Sequence, residues 1–355
     1  MPFSSKNYCQ IHHGELMDKL ISIPEQPEVI PYVTSYYKED WGFCIQHNSK
    51  VNLSEDRYHV KIDSTLEAGV LNYGELIIKG RSTKEVLLST YICHPSMANN
   101  ELSGPVIMTA LAQWLLEQKE LNYTYRLLFI PETIGSINYI SQNITELREN
   151  VIAGFVLTTI GDSGEFSYVA SRYGDSFSDE VVEHVFSKLE KYNKYSYLER
   201  GSDERQYNYP GVDLGMVTIT RSKFGTYPEY HTSADNLSLL SAKSLLESFE
   251  MVKEILLEVD QTIDRVPYNK TVFRAMKKDN LVNTVCCEPQ LGKRGLYPAL
   301  SMRGSAYSVI NIINVLVYAD GSNSIEEISK IINLSSEETL KIAERMLENG
   351  LLKKI

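Results

Sequence analysis

Residues 86–130 read VLLSTYICHPSMANNELSGPVIMTALAQWLLEQKELNYTYRLLFI. The stretch begins with a mostly apolar run, 86–92, and ends with a second one, 125–130. Between them, residues 104–118 have the spacing of an amphipathic helix. Near-continuous apolar runs that alternate with helices are typical of a parallel sheet covered on both faces. This stretch therefore predicts an α/β fold.

The same alternation continues along the chain. We expect a helix over residues 136–143, strands at 153–157 and 212–220, and a long amphipathic helix at 239–259. The predicted fold class is therefore α/β, with a mostly parallel sheet and helices on both of its faces.

Two smaller units accompany this sheet in the sequence. Residues 41–79 contain short alternating runs that predict a small β subdomain. Near the carboxyl terminus, three helical patterns and a short final strand predict a winged-helix domain. The predicted boundaries are 1–28 and 86–262 for the α/β domain, 29–85 for the β subdomain and 263–355 for the winged helix.

Charge argues against a nucleic-acid partner. The 355 residues carry a formal net charge of −11, whereas binding to phosphate backbones needs clustered Lys and Arg. The candidate recognition helix, SSEETLKIAERMLENG, carries four Glu against one Lys and one Arg. We therefore expect the winged helix to pack within the protein, or to bind a protein partner or a second copy of the chain.

Cysteine usage and hydropathy bear on localisation. The five cysteines are an odd number and show no C-x-x-C spacing, which favours a reduced, cytoplasmic setting. The first residues lack the pattern of a signal peptide, and no apolar run approaches the ~18 residues of a membrane span. We expect a cytoplasmic protein without a membrane partner.

Three polar residues follow predicted strands or lie in the loop before the long helix. His94 and Glu132 come directly after the runs ending at residues 92 and 130, and His231 lies between the last strand and the long helix. Ligands of open α/β sheets bind at the carboxyl ends of the strands. The sequence therefore predicts an active site around these three residues.

Five stretches of the sequence are distinctive. They are PYVTSYYKEDWGFC from residue 31, CHPSMANNELSGP from 93, PETIGSI from 131, SDERQY from 202 and YPEYHTSADNL from 227. Together these motifs resemble the aminopeptidase-like proteins found in bacterial polysaccharide-biosynthesis clusters, and the resemblance covers nearly the whole chain. It implies a zinc-aminopeptidase core, an inserted β subdomain and a carboxyl-terminal winged helix. We expect the chain to begin after the family's usual amino-terminal segment.

The residues themselves suit zinc chemistry. Neutral imidazole is a preferred zinc ligand, and a catalytic site usually combines three protein ligands with one position for water. His94 and His231 would supply two ligands. Glu132 is placed to take a proton from the attacking water as a general base.

The two-metal aminopeptidases, which this fold resembles, use carboxylates that are replaced here. Their bridging Asp corresponds to Asn100, their Glu-Glu pair reads Glu132-Thr133, and a further Asp falls near Thr158. The Asp usually found two residues after the first His is Ser96. These replacements predict one zinc ion rather than two.

The third ligand of a single zinc is open at this level. Glu101 is the leading choice, because a His-Glu-His set resembles that of mononuclear zinc carboxypeptidases. It could equally stabilise the positive end of the helix that follows, worth ~0.3–1 kcal/mol. Asp203 and Asp235 are alternatives, and Asp235 could instead orient an imidazole.

Substrate binding is assigned to Asp203, Glu204, Arg205 and Tyr230. Arg205 offers the bidentate donors that suit a substrate carboxylate.

Two functions stay open. One is a metal-dependent hydrolase of an aminoacyl or N-acyl amide, acting on a small or peptide-like substrate. The other is a non-catalytic binding protein on a degenerate aminopeptidase scaffold, because one fold hosts many functions.

Overall fold

The computed structural model describes residues 7–33, 40–65, 67–262, 274–296 and 305–355. Part of the motif that begins at residue 31 lies outside these ranges.

The amino-terminal part forms a small unit of short strands and helices. Its first strand pairs antiparallel with its fourth, and the second pairs parallel with the third. Ile11, Leu16, Leu20 and Val60 are its buried apolar side chains. The elements are β1 (Asn7–His12), α1 (His13–Met17), β2 (Leu20–Ile21), β3 (Phe43–Cys44), α2 (His47–Val51) and β4 (Arg57–Ile62).

Seven further strands form the central sheet. They are β5 (Gly74–Ile78), β6 (Glu85–Tyr91), β7 (Thr124–Ile130), β8 (Val151–Leu157), β9 (Ser167–Val169), β10 (Asn193–Tyr195) and β11 (Met216–Thr220). Their order is β10-β9-β11-β8-β6-β7-β5. The four middle strands, β11, β8, β6 and β7, are mutually parallel, whereas β5 and β9 run antiparallel to their neighbours β7 and β11. The expected mostly parallel sheet is confirmed.

Strand pairing crosses two of the predicted boundaries. Strand β1, assigned from the sequence to the α/β domain, pairs with β4 of the small unit. Strand β5, assigned to the small unit, pairs with β7 at the edge of the central sheet. Both pairings join segments that are at least 45 residues apart. Local periodicity gives the strand but not its partner, which explains the difference.

Helices cover both faces of the sheet. They are α3 (Ser103–Leu116), α4 (Ile134–Asn150), α5 (Phe177–Phe186), α6 (Glu204–Tyr207) and α7 (Ala242–Gln261). Val86 and Leu88 belong to the apolar core that includes residues of α3, α5 and α7, whereas Leu87 belongs to the core that includes residues of α4. Successive residues of a strand point to opposite faces, so these are two separate layers.

The carboxyl-terminal part has the expected winged-helix elements. They are β12 (Leu281–Asn283), α8 (Ser305–Tyr318), α9 (Ile325–Ile331), α10 (Ser336–Glu348) and β13 (Leu352–Lys354), with β12 and β13 antiparallel. Its apolar core includes Tyr197 and Tyr209 of the α/β domain. The buried Arg172 donates to the carbonyl of Val317. In the described ranges no helix is long and apolar enough to cross a membrane.

The close approach of α3 to the sheet depends on Gly104. A Cβ atom at this position would lie 2.2 Å from Thr90 Oγ1 and 2.6 Å from the carbonyl oxygen of Leu157. We predict that Gly104→Ala lowers the free energy of unfolding by about 1–3 kcal/mol through overpacking. Gly14→Ala is the control, since a Cβ there has no neighbour within 4 Å. Urea unfolding checks this, and equal stability of the two variants would contradict it.

Candidate active site

His94 lies in the loop after β6, with a carboxylate on each side of its ring. On one side, Glu101 Oε2 accepts the backbone N–H of His94 at 2.7 Å and lies 3.3 Å from His94 Nδ1. On the other side, Glu132 Oε2 lies 3.7 Å from His94 Nε2. His94 is only 9% exposed. Glu101 therefore holds both the backbone and the ring of His94 in place.

The two carboxylates favour positive charge on this imidazole. Burial opposes that charge, but the hydrogen bond from Glu101 and the negative charge of Glu132 outweigh it and raise the pKa of His94. The same two carboxylates would attract a metal cation bound at His94, because the cation would place its positive charge where a proton otherwise places one.

His231 stands next to His94 but in a different environment. Their ring centroids are 5.4 Å apart, and Tyr32 lies against both rings, at 5.5 Å from His94 and 5.3 Å from His231. Tyr230 stacks on His231 with 3.9 Å between centroids. Burial, helped by the charge of His94, lowers the pKa of His231 to about 4. Its imidazole is therefore neutral at physiological pH, which is the form that binds metals.

The Nε2 atom of His231 is buried and has no hydrogen-bond partner in the described structure. Its residue also has a φ of +54°, which is unusual for a side chain with a Cβ. A buried nitrogen without a partner costs free energy unless something binds it. This atom is therefore a candidate ligand position.

Asp235 joins the loop of His231 to the segment that carries Glu101. Its two oxygens accept the backbone N–H groups of Ala98, Asn99 and Asn100 and the hydroxyl of Tyr227. The three amides begin the short π-helical turn Ala98–Leu102, which leads into α3. Asp235 is completely buried. It therefore acts as a structural link, and its oxygens are occupied without a metal.

Glu132 also belongs to a second group of charged side chains, together with Asp203 and Arg205. Asp203 Oδ1 accepts the backbone N–H of Thr133 and the hydroxyl of Ser136, and Arg205 donates to Thr133 Oγ1. Burial raises the pKa of Glu132, although Arg205 and His94 oppose the rise. Burial and the nearby Glu132 charge raise the pKa of Asp203 to about 7. The site thus holds two carboxyl groups with weakened acidity.

Two of the predicted substrate residues are largely occupied by internal contacts. Glu204 is completely buried, and it accepts hydrogen bonds from the amides of Gly201 and Ser202 and the hydroxyl of Thr218. Arg205 binds the carbonyl of Ser202 as well as Thr133, and its Nη1 lies 3.5 Å from Glu288. Their assignment to the substrate stays a prediction, because the structure shows a positioning role for both.

Glu288 was not foreseen from the sequence. It comes from the winged-helix part of the chain, and its backbone N–H donates to Gln206. Its side chain approaches Arg205, so the winged helix reaches the edge of the site. Residues 288 and 205 are 83 positions apart, and no local pattern relates them.

Neutral groups occupy the positions of the missing carboxylates. Asn100 donates to the hydroxyl of Tyr91 at 2.5 Å, and this hydroxyl lies 2.5 Å from Thr158 Oγ1. All three residues are buried. The expected loss of carboxylate ligands at residues 100 and 158 therefore appears as a compact, uncharged hydrogen-bond network.

Cys93 is a second residue near the site that the sequence analysis missed. In the described part of the chain, one group of three metal-ligating side chains has all its ligand atoms within 4.8 Å of one another, and it consists of Cys93, His94 and Glu132. Glu101 and His231 lie outside this group, so the ligand set His94, Glu101 and His231 stays a prediction. The available signal was the position of Cys93, directly before a histidine at a strand end.

Comparison with known families agrees with this geometry. Residues 17–262 match the family model described as "Domain of unknown function (DUF4910)", and residues 279–354 match that of the "winged helix-turn-helix". The chain belongs to the DUF4910 family. This member is 40% identical over 318 residues to a Clostridium acetobutylicum protein named "Putative polysaccharide biosynthesis protein with aminopeptidase-like domain". The alignment covers 89% of this chain and 69% of that protein.

Solved structures support the same assignment. A "putative peptidase" from Clostridium acetobutylicum superposes with a TM-score of 0.70 at 36% identity, over 100% of this chain and 77% of the other. A zinc aminopeptidase from Bacillus subtilis superposes with a TM-score of 0.53 at 16% identity, over 70% of this chain and 67% of the other. The second likeness concerns the fold alone. The resemblance to aminopeptidase-like polysaccharide-biosynthesis proteins is confirmed.

The raised pKa of Asp203 gives a pH dependence of stability. Between the unfolded pKa, about 3.9, and the folded value of about 7, the folded protein binds more protons than the unfolded chain. The contribution of Asp203 to the free energy of unfolding is fully present below the unfolded pKa. It is lost as the pH rises through the folded pKa, by up to about 1.4 kcal/mol per pH unit.

We predict that Asp203→Asn makes this decline shallower, because the amide oxygen can still accept from Thr133 and Ser136 but does not titrate. Urea unfolding of metal-free protein at several pH values between 4 and 8 measures the slope. An identical slope in wild type and variant would contradict the assignment.

Proposed function

We propose that this protein is a metal-dependent amide hydrolase of the aminopeptidase type. The observation that carries the proposal is the pair His94 and His231. One imidazole faces Glu132, and the other has a buried nitrogen without a partner among the described residues. The substrate is an aminoacyl or N-acyl compound of surface polysaccharide biosynthesis. That link rests on the name of the Clostridium acetobutylicum relative.

The residues present fit one zinc ion. Imidazole, thiol and carboxylate groups are the ligands that zinc prefers, and the unpartnered Nε2 of His231 lacks the hydrogen bond that a structural histidine would have. His94 and His231 would hold the ion, with Glu101 as the third ligand expected from the sequence. When bound, zinc would polarise the substrate carbonyl and make water more acidic.

Glu132 is the proton acceptor in this proposal. Its carboxylate faces His94 Nε2, and burial raises its pKa, which makes it a better base than a solvated carboxylate. It accepts a proton from the attacking water and returns that proton to the leaving nitrogen. Arg205 and Asp203 hold the adjacent Thr133, so they fix the direction of the Glu132 side chain through the backbone.

Tyr230 would contact the substrate at the side of His231. Its ring stacks on His231 and meets Tyr227 edge to face. Burial raises the pKa of the Tyr230 hydroxyl, so it is available as a hydrogen-bond donor.

The second candidate is a non-catalytic binding protein. The uncharged network of Tyr91, Asn100 and Thr158 favours it, because carboxylate ligands are absent there. The retention of His94, His231 and Glu132 in one cluster favours the hydrolase. Activity and metal content separate the two.

The winged helix is proposed to bind protein, or a second copy of the chain, rather than nucleic acid. In α10 the side chains of Glu337, Glu338, Glu344 and Glu348 are exposed, and Lys341 is paired with Glu337 at 2.6 Å. Such a face repels phosphate.

We predict that His94→Ala and His231→Ala each abolish zinc retention and the zinc-dependent rise in melting temperature. A ligand that binds only the folded state adds about 2.7 kcal/mol at 100 times its Kd. The control is His59→Ala, an exposed histidine of the small amino-terminal unit, which should keep both. Thermal unfolding with and without zinc, together with metal analysis, makes the test. Unchanged metal content in both site variants would refute the assignment.

We predict that Glu132→Gln keeps the fold and the metal but lowers kcat by about 10²–10⁴-fold, because an amide cannot accept the proton. Aminoacyl and N-acyl amides are assayed at matched zinc loading, with the exposed Glu117→Gln as control. Loss of metal in Glu132→Gln would indicate that Glu132 is a metal ligand instead of the base. Equal turnover would reject its role, and inactivity of all three proteins would favour the binding protein.

A further inference from the structure

Cys93 has a contact pattern that the proposed function does not use. Its Sγ atom lies 3.3 Å from His94 Nδ1 and accepts the backbone N–H of Glu132 at 3.2 Å. The sulfur is thus held between the two residues at the centre of the site. It belongs to the group in which the ligand atoms of Cys93, His94 and Glu132 all lie within 4.8 Å of one another.

The expected third ligand is held elsewhere. Glu101 Oε2 bonds the backbone amide of His94 and lies against Nδ1 of the same ring. A carboxylate in this position orients a metal-binding imidazole and raises its basicity. A single-metal site then needs another protein ligand. The Cys93 thiol lies within reach of His94 and Glu132, whereas the oxygens of Asp235 already accept backbone amides.

We propose that Cys93, in place of Glu101, binds the metal as a thiolate beside His94, which makes this a thiolate-containing centre rather than one of imidazoles and carboxylates alone. The inference rests on the proposed metal-dependent function. Binding replaces the S–H bond by a metal–sulfur bond and releases the proton to solvent. Burial raises the pKa of the metal-free Cys93 thiol, and the backbone N–H of Glu132 opposes this rise by donating to the sulfur. Such a site selects zinc or cobalt over magnesium and manganese.

Cobalt(II) is the probe, because a cobalt–thiolate bond absorbs in the near ultraviolet whereas cobalt bound only by nitrogen and oxygen does not. Metal-free protein is titrated with Co²⁺ under reducing conditions. Wild type should bind one ion and develop the band. Cys93→Ser should lose the band and bind cobalt at least about 10-fold more weakly. Cys287→Ser is the control and should retain the band. Cys287 is half-buried and packs against the apolar core that includes residues of α4.

A second variant covers the case in which Cys93→Ser does not fold. Replacing Cys9, Cys44, Cys286 and Cys287 by Ser leaves Cys93 as the only cysteine, and this protein should still show the band. One bound cobalt without the band in wild type would overturn the thiolate ligand and leave the proposed function standing. No cobalt binding by wild type would overturn both.

Discussion

The site depends on one buried carboxylate, that of Asp235. It accepts three successive backbone amides, from Ala98 to Asn100, and the hydroxyl of Tyr227. These bonds compensate the cost of burying its charge. Because Asp235 lies four residues after His231, the same bonds fix the histidine loop against the turn that carries Glu101. Glu101 in turn holds His94, so one carboxylate sets the distance between the two imidazoles.

A second constraint is the uncharged network of Tyr91, Asn100 and Thr158. The sequence predicts that carboxylate ligands of a second metal are replaced at residues 100 and 158. Here Asn100, Tyr91 and Thr158 bond to one another, and two hydrogen bonds of 2.5 Å keep them together. A second dication at this position would have no anionic ligand among these three residues. Two carboxylates, those of Glu101 and Glu132, lie beside His94 instead, and we propose that a single cation binds there.

The sequence predicts single strands and the residues that follow them better than it predicts contacts between distant segments. The buried strands β6, β7 and β8 are nearly continuous apolar runs, so their position, and that of His94 and Glu132 after them, could be predicted. Three other features could not be predicted. They are the pairing of β1 with β4, the approach of Glu288 to Arg205 and the orientation of the Glu101 side chain towards His94. Each depends on contacts between distant segments or on a side-chain orientation. Cys93 was adjacent to a recognised residue, but its sulfur position follows from the loop conformation.

The winged helix is built into the α/β domain through Arg172, Tyr197 and Tyr209, and Glu288 extends it to Arg205. We propose that this whole assembly supports one metal ion at His94. The decisive measurement is metal analysis of the purified protein after zinc loading and removal of free metal. We expect one zinc per chain. Two ions per chain, or none, would contradict it.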